Sequence, residues 1–573
     1  MRRFLVTAVF AFVILAMLAP PGFAQAPAPK VTITGLFDQV SSMGRNTYDG
    51  NLTRNSDKEW YARTRFRPDF EFAVGRVKAV LGLEIDLQYG QSGTNDGGFP
   101  GNVSGSAGGF GSSQLGAANG GQPPGCKVNT NGCLDLNTDV GGMIEIKWIY
   151  TEFPLTGKDS LLPFIPVETM ARLGGQPFDT LGQYKLAQYA NGDFAGVSAI
   201  TTFSPEIKTN LAWVMLEEEL AGGTRGLGIN KVTRGEDYAL IASPEFTPFK
   251  GLDIKPLYSW FHADGQTQGG ARRNLANTRT VSGLINGQGA RGPALAATSP
   301  GDPTEHENRH TIGLDARLRM GPFGLDPTVY WQFGRADTQG FDNTGTARKM
   351  TADMSAWLVD VIASYQLGPL LLEGRGVYST GNKARDNLSK SIKYYQPLDT
   401  DGNYWAGGWT QFWASGVDYF NQGWATTGNY VGYDRYGRIG FALRGTYNIT
   451  PALSLYGVVH AMWTAQAVDT DTTSQLASAS GVGTAARLTI VNAPGWLQGD
   501  SNYVGTEGNL GMTWRFAPNV AFDLVGAYLF AGDALNAAEC RGTLSATTGC
   551  AGTVVRMDAH DAYTLAARMR LSF

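Results

Sequence analysis

Hydrophobic and polar positions alternate with a period of two over long stretches of the chain. From Trp60 to Val74 one register reads Trp60, Ala62, Thr64, Phe66, Pro68, Phe70, Phe72, Val74, and the other Tyr61, Arg63, Arg65, Arg67, Asp69, Glu71, Ala73. That period puts the two sets on opposite faces of an extended strand. Beyond a tight turn at Gly75 the pattern resumes, with Val77, Ala79, Leu81, Leu83, Ile85, Leu87 and Tyr89 on one face and Lys78, Glu84, Asp86 and Gln88 on the other. One such pair would suit a soluble sandwich. Many recur here at about ten residues or more, whereas soluble strands average five or six.

The unit repeats to the C-terminus: a long alternating strand, a short turn, a second long strand, a long polar loop. Turns are expected at Ser204-Pro205-Glu206, Thr247 to Gly251, Gly321 to Gly324, Gly368-Pro369, Thr450-Pro451 and Ala517-Pro518-Asn519. Long loops are expected at about 41–59, 91–141, 179–194, 217–235, 265–309, 335–352, 380–437, 466–503 and 531–557. Nine loops after an N-terminal first strand predict an all-β, transmembrane antiparallel β-barrel of about 18 strands, with 16 as the alternative count. The loops would be extracellular and the turns periplasmic. Later strands agree: Ile312, Leu314, Ala316, Leu318 and Met320 oppose Thr311, Asp315, Arg317 and Arg319. A closed barrel pairs every backbone group, as lipid demands.

Composition narrows the function classes. The 573 residues include 75 Gly, only 17% are charged, and the mean hydropathy of −0.17 is too polar for a bundle of membrane helices. With 46 basic against 50 acidic residues and no basic block, nucleic-acid binding is disfavoured. Arg2 and Arg3, the apolar run Phe4 to Leu18 and the small-residue site Ala24-Gln25-Ala26 read as a secretory signal peptide over 1–24, with cleavage after Ala26 as the alternative. Residues 25–573 then form one barrel domain. No later run approaches the ~18 apolar residues of a spanning helix. Four cysteines suit an oxidising compartment. Cys126 with Cys133, and Cys540 with Cys550, are each expected to staple a loop by a disulfide, with cross-pairing open because connectivity does not follow from sequence.

The signal peptide, the hairpin from Val31 through Tyr89, the stretch Arg172-Leu173-Gly174-Gly175-Gln176 and the terminal Arg568-Met569-Arg570-Leu571-Ser572-Phe573 together resemble the porins of Gram-negative outer membranes. They look most like the larger homotrimeric diffusion porins. The resemblance implies a homotrimer, a wall set in outer-membrane lipid and lipopolysaccharide, and insertion by the barrel-assembly machinery, for which a terminal Phe is similar to the signal. It also implies that the loop after the fifth strand, 179–194, folds into the channel, with an exposed loop as the alternative. Asp179, Tyr184, Lys185 and Asp193 of that loop are the constriction candidates.

Function would lie on the polar face, since a barrel this wide leaves an aqueous channel and charged rings in it select solutes. Arg63, Arg65 and Arg67 occupy three successive inward positions. They either draw anions in or brace the wall by pairing with Glu84 and Asp86. Arg172, Arg317, Arg319, Arg375 and Arg444 are further pore-lining candidates, with Glu168, Glu373, Arg438, Arg515, Arg568 and Arg570. The loop 380–437 carries Tyr394, Tyr395, Tyr404, Trp405, Trp409, Phe412, Trp413, Tyr419, Phe420 and Trp424, either a self-packed lid or a surface on which solutes stack.

Other motifs are weaker. His306-Glu307-Asn308-Arg309-His310 matches the spacing of a zinc-protease helix, but the alternating strand that follows leaves no helix to present it. Asp399-Thr400-Asp401-Gly402-Asn403 and Asp469-Thr470-Asp471 are oxygen-rich turns with donors for Ca2+, although glycine falls at the fourth position rather than the sixth of a calcium-binding EF-hand. His262, His460 and His560 are read as structural. The expectation is a passive outer-membrane channel for small hydrophilic solutes and ions, without reaction or cofactor. The alternatives are a substrate-selective channel for sugars or organic anions, and a barrel serving mainly as a surface-binding protein.

Overall fold

A strand in lipid has no water for its N–H and C=O groups, so each strand needs a partner on both edges. The computed structural model shows how this chain meets that demand. It describes residues 28–46, 52–53, 58–89, 133–135, 141–178, 189–218, 236–264, 306–341, 347–383, 386, 391–400, 409–412, 436–468, 470, 499–545 and 549–573.

Eighteen strands make the wall. They are β1 (Lys30–Arg45), β2 (Lys58–Val74), β3 (Val77–Tyr89), β4 (Gly141–Thr156), β5 (Glu168–Phe178) and β6 (Ala190–Ser204). Next come β7 (Ile207–Glu218), β8 (Glu236–Phe249), β9 (Leu252–Asp264), β10 (His306–Met320), β11 (Phe323–Phe341) and β12 (Ala347–Leu367). The last six are β13 (Leu370–Ser379), β14 (Arg438–Thr450), β15 (Leu453–Val468), β16 (Ser501–Ala517), β17 (Val520–Ala531) and β18 (Ala562–Ser572). Every consecutive pair is antiparallel. β1 then pairs with β18, from Leu36 opposite Ser572 to Arg45 opposite Tyr563, and closes the barrel.

The expected alternation sets the two faces. Val31, Ile33, Phe72, Leu211, Leu443 and Leu510 stand exposed on the outer face, where only lipid makes such a surface favourable. The short connections lie at the predicted turns. Gly75 and Asn519 take φ of 58° and 61° there, the left-handed region that two-residue hairpins require. The β4–β5 connection, 157–167, is the longer exception.

Three expected loops are shorter or more ordered than the sequence suggested. β11 and β12 pair as far as Phe341 and Ala347, so 335–352 is mostly strand. β10 begins at His306 rather than Thr311. Within 531–557, strands 537–545 and 549–557 form a separate hairpin. In the first two cases the ladder continues past the apolar band, and polar residues outside it carry no alternating signal. In the separate hairpin Cys540 is opposite Val554, and Cys550 opposite Leu544. That four-residue offset is about 13 Å along a strand, beyond the reach of a disulfide. The expected Cys540–Cys550 staple therefore does not fit this register. Cys126 lies outside the described residues, as does the Cys133 side chain.

The closing seam is tight. Gly35 N donates to Phe573 O at 2.8 Å, Phe573 N donates to Gly35 O at 3.0 Å, and the Phe573 ring stacks on Phe66 at 6.0 Å. A Cβ on Gly35 would lie 2.5 Å from Arg67 O and 2.7 Å from the Phe573 ring, whereas one on Gly508 meets nothing within 4 Å. Gly35→Ala is expected to weaken the folded barrel by about 1–3 kcal/mol. Gly508→Ala is expected to leave it unchanged, and the midpoint of the heat-induced gel shift measures both.

Candidate functional site

The inner face is a network of ion pairs. On the β2–β4 sector, Glu84 gathers three cations: Arg65 at 2.8 Å, Arg67 at 2.6 Å and Lys147 at 3.6 Å. Arg63 lies 3.9 Å from Asp38 on β1. Local register explains the convergence. Gly82 is opposite Trp148 and Leu83 opposite Ile146, so one residue of β4 is extra. This bulge turns both Lys147 and Trp148 inward, and the indole donates to Asp69 Oδ1 at 2.9 Å. Arg65 is opposite Asp86, whose side chain is outside the described part.

Six further pore-lining candidates also face inward, each beside a carboxylate. Arg172 meets Glu152 at 2.5 Å, Arg317 meets Asp253 at 3.2 Å, and Arg319 meets Asp326 at 2.5 Å. Arg375 meets Asp360 at 2.7 Å, Arg444 meets Glu373 at 3.8 Å, and Arg568 meets Asp523 at 2.9 Å. At these positions the wall is braced by ion pairs between neighbouring strands. Around Glu84 three cations converge, and Asp69 adds a second carboxylate that Arg67 and Lys147 also feel. Glu168 is an exposed partner of Arg76 beside the short turns.

Inward residues of a wide empty pore would be wet, yet Phe261, Tyr330, Leu358, Met462 and Leu529 are fully buried. Segments from the loops cover them. Gln332 on β11 donates to Gln396 O at 2.6 Å and accepts from Gln396 N at 2.8 Å, holding that loop residue as a strand partner would. Arg309 on β10, paired with Glu307 at 2.9 Å, donates to Gln396 Oε1. Tyr395 stacks on Tyr330 at 6.3 Å, and Tyr189 meets Tyr330 edge-on at 6.3 Å. Burial pushes the Tyr395 phenol well above its ordinary value. Leu398 N donates to Tyr189 O at 2.7 Å, so segment 391–398 meets the start of β6 inside the barrel.

A second cluster seats residues 409–412. The Trp409 ring lies under the guanidiniums of Arg375 at 5.9 Å and Arg444 at 5.8 Å. Asn509 on β16 donates to Trp409 O at 3.0 Å. Glu507 accepts from Gln411 N at 2.6 Å and Phe412 N at 3.2 Å. The aromatic loop is therefore packed into the wall at Tyr394, Tyr395, Trp409 and Phe412. Tyr404, Trp405, Trp413, Tyr419, Phe420 and Trp424 lie outside the described residues, as do Asp179, Tyr184, Lys185 and the side chain of Asp193. Sequence reasoning missed Glu507, Gln332 and the Glu307–Arg309 pair. Glu507 shares the inward register of Asn509, and Glu307 was hidden in an expected loop.

The His-Glu-x-x-His stretch is strand. His306 and His310 point outward some 13 Å apart along β10, while Glu307 points inward. Outside, Asn308 Nδ2 meets His306 Nε2 at 2.6 Å, His262 Nδ1 meets Asn308 Oδ1 at 3.0 Å, and Tyr258 OH meets His310 Nδ1 at 3.1 Å. Asp401, Gly402, Asn403, Asp469, Asp471 and the side chains of Asp399 and Thr400 are outside the described part. Among the described residues no group of three or more His, Cys, Asp or Glu could hold a metal.

No protein-family model matches the chain. No curated protein matches it either. Among solved structures it is similar to OccK8 (OprE) of Pseudomonas aeruginosa, with 9% identity and a TM-score of 0.43, over 95% of this chain and 98% of that one. It is similar to a BenF-like porin from Pseudomonas fluorescens Pf-5, with 10% identity and a TM-score of 0.44 over 95% and 98%. A third is OpdK of Pseudomonas aeruginosa with vanillate, at 9%, 0.40, 94% and 99%. The barrel assignment stands on this chain's own strand pairing.

Glu84→Gln removes the acceptor shared by Arg65, Arg67 and Lys147. Breaking so buried a pairing is expected to cost about 3 kcal/mol, read as a lower unfolding midpoint. The surplus positive charge is expected to move the zero-current potential in a salt gradient toward that of chloride.

Proposed function

We propose that the protein is a bacterial outer-membrane channel for small hydrophilic solutes that favours organic anions, its bore narrowed by segments folded in from the loops. The observation that carries this reading is the Glu84 cluster, where Arg65, Arg67 and Lys147 share one carboxylate on the inner wall. Cationic side chains gathered on the wall of a confined, low-dielectric passage attract anions. The buried inner face supports a selective channel over an open diffusion pore, because segments 391–398 and 409–412 take space that a general porin leaves to water. In this reading the leader 1–24 directs export, the barrel-assembly machinery inserts the chain, lipid and lipopolysaccharide surround the wall, and the protein assembles as a homotrimer.

In planar bilayers under a salt gradient, purified protein is expected to give an anion-selective reversal potential and a conductance that an organic carboxylate blocks saturably. Neutral sugars are expected to block less. Deleting 391–412 is expected to raise single-channel conductance severalfold and weaken the block. Cation selectivity would overturn the anion reading. Absence of conductance even in the deletion variant would leave surface binding as the function.

A further inference from the structure

Inner-wall carboxylates of this barrel usually meet a guanidinium: Asp360 meets Arg375, Glu307 meets Arg309, and Asp523 meets Arg568. Glu507 on β16 departs from that rule. It is fully buried, and no Lys or Arg nitrogen lies within 4.0 Å of its carboxylate among the described residues. Its oxygens instead accept the consecutive backbone N–H groups of Gln411 and Phe412, at 2.6 and 3.2 Å. A wall carboxylate thus holds the backbone of a loop segment inside the lumen, with the neutral Asn509 side chain as its hydrogen-bonding neighbour on the wall.

We propose that Glu507 is a proton-operated latch, holding segment 409–412 across the bore when ionised and releasing it when protonated. This rests on the channel reading above. A carboxylate accepts through both oxygens, and hydrogen bonds to the charged form are roughly twice as strong as neutral ones. The protonated acid turns one oxygen into a donor facing an N–H, so one of the two buried amides loses its acceptor. The sign follows: the latch is closed above the titration of Glu507 and opens as pH falls through it.

The surroundings isolate this group. β17 presents Leu529 across from it, and β15 presents His460. On its own strand Asn509 holds Trp409 O. Segment 409–412, Trp-Thr-Gln-Phe, carries no charged side chain. The nearby cations, Arg375 and Arg444, are over the Trp409 ring. Among the described residues, His460 is the titratable side chain placed opposite Glu507, and a variant separates the two.

The test compares single-channel open fraction at neutral pH and in the acid range for wild type, Glu507→Gln and His460→Asn, with the heat-induced gel shift as the folding control. Acidification is expected to raise the wild-type open fraction about tenfold, which at about 1.4 kcal/mol is the loss of one hydrogen bond. Glu507→Gln is expected to be open at neutral pH and insensitive to acid, while His460→Asn still responds. A Glu507→Gln channel that stays closed at neutral pH, or that responds as wild type does, overturns the latch. So does a response lost only in His460→Asn. In parallel, hydrogen exchange on wild-type protein, corrected for intrinsic rates, is expected to show Gln411 and Phe412 amides losing protection in acid while Gln396 keeps its own. Unchanged protection at 411 and 412 overturns the latch without touching the channel reading. Loss of protection with no conductance at any pH keeps the latch and overturns the channel.

Discussion

Every feature of this molecule depends on the backbone hydrogen bonds between its first and last strands. Seventeen consecutive pairings would leave two raw edges in lipid, each N–H and C=O on them costing several kcal/mol. The pairing of β1 with β18 removes both edges. Closure constrains the rest: the strand count is even, and both strand termini emerge at the end that carries the tight turns. It also explains why Gly35 sits where Phe573 crosses the seam. A side chain there would hold the edges apart, and the penalty would fall on the whole ladder.

Closure then separates two solvents that a strand must meet at once. The outer face has only to be apolar, so its leucines and aromatics need no particular partners. The inner face has to manage charge, and here it does so in a space too crowded to be bulk water. A guanidinium in such a space needs a partner, because an isolated buried charge is far costlier than a paired one. The pairs Arg375–Asp360, Arg309–Glu307 and Arg568–Asp523 are the result. Charge on this face is unevenly spread, and the β4 bulge concentrates it: it brings Lys147 to a carboxylate already met by two arginines.

The wall was legible from the sequence because alternation is local. Arg63, Arg65 and Arg67 face inward since Phe66, Phe70 and Phe72 face outward, and no tertiary knowledge is needed. Ladder lengths beyond the membrane were not legible, as at 335–352, because water-exposed strand and polar loop have the same composition. The choice between bracing and attraction for the arginines was undecidable for a different reason. It depends on register across strands, and on a bulge that shifts Lys147 by one position. The inward fold of the aromatic loop was beyond sequence too. Gln332 holds Gln396 through backbone atoms, which leave no mark in residue type.

Two kinds of anchor hold the loop segments in the lumen, and they differ in what can undo them. The Gln396 anchor uses a neutral amide and a stack of tyrosines, Tyr395 on Tyr330. Neither part changes charge near neutral pH, so this anchor behaves as permanent wall. The 409–412 anchor combines a lone carboxylate with a tryptophan under two guanidiniums that are themselves paired to Asp360 and Glu373. Its cation–π contacts survive protonation, yet at roughly 0.5–2 kcal/mol each they hold the indole only against the wall. The backbone of the segment is held by Glu507 and Asn509. Ring and backbone are thus seated by different forces, the indole by charge over its face and the chain by hydrogen bonds, so a change of charge at Glu507 acts on the backbone while the ring keeps its seat.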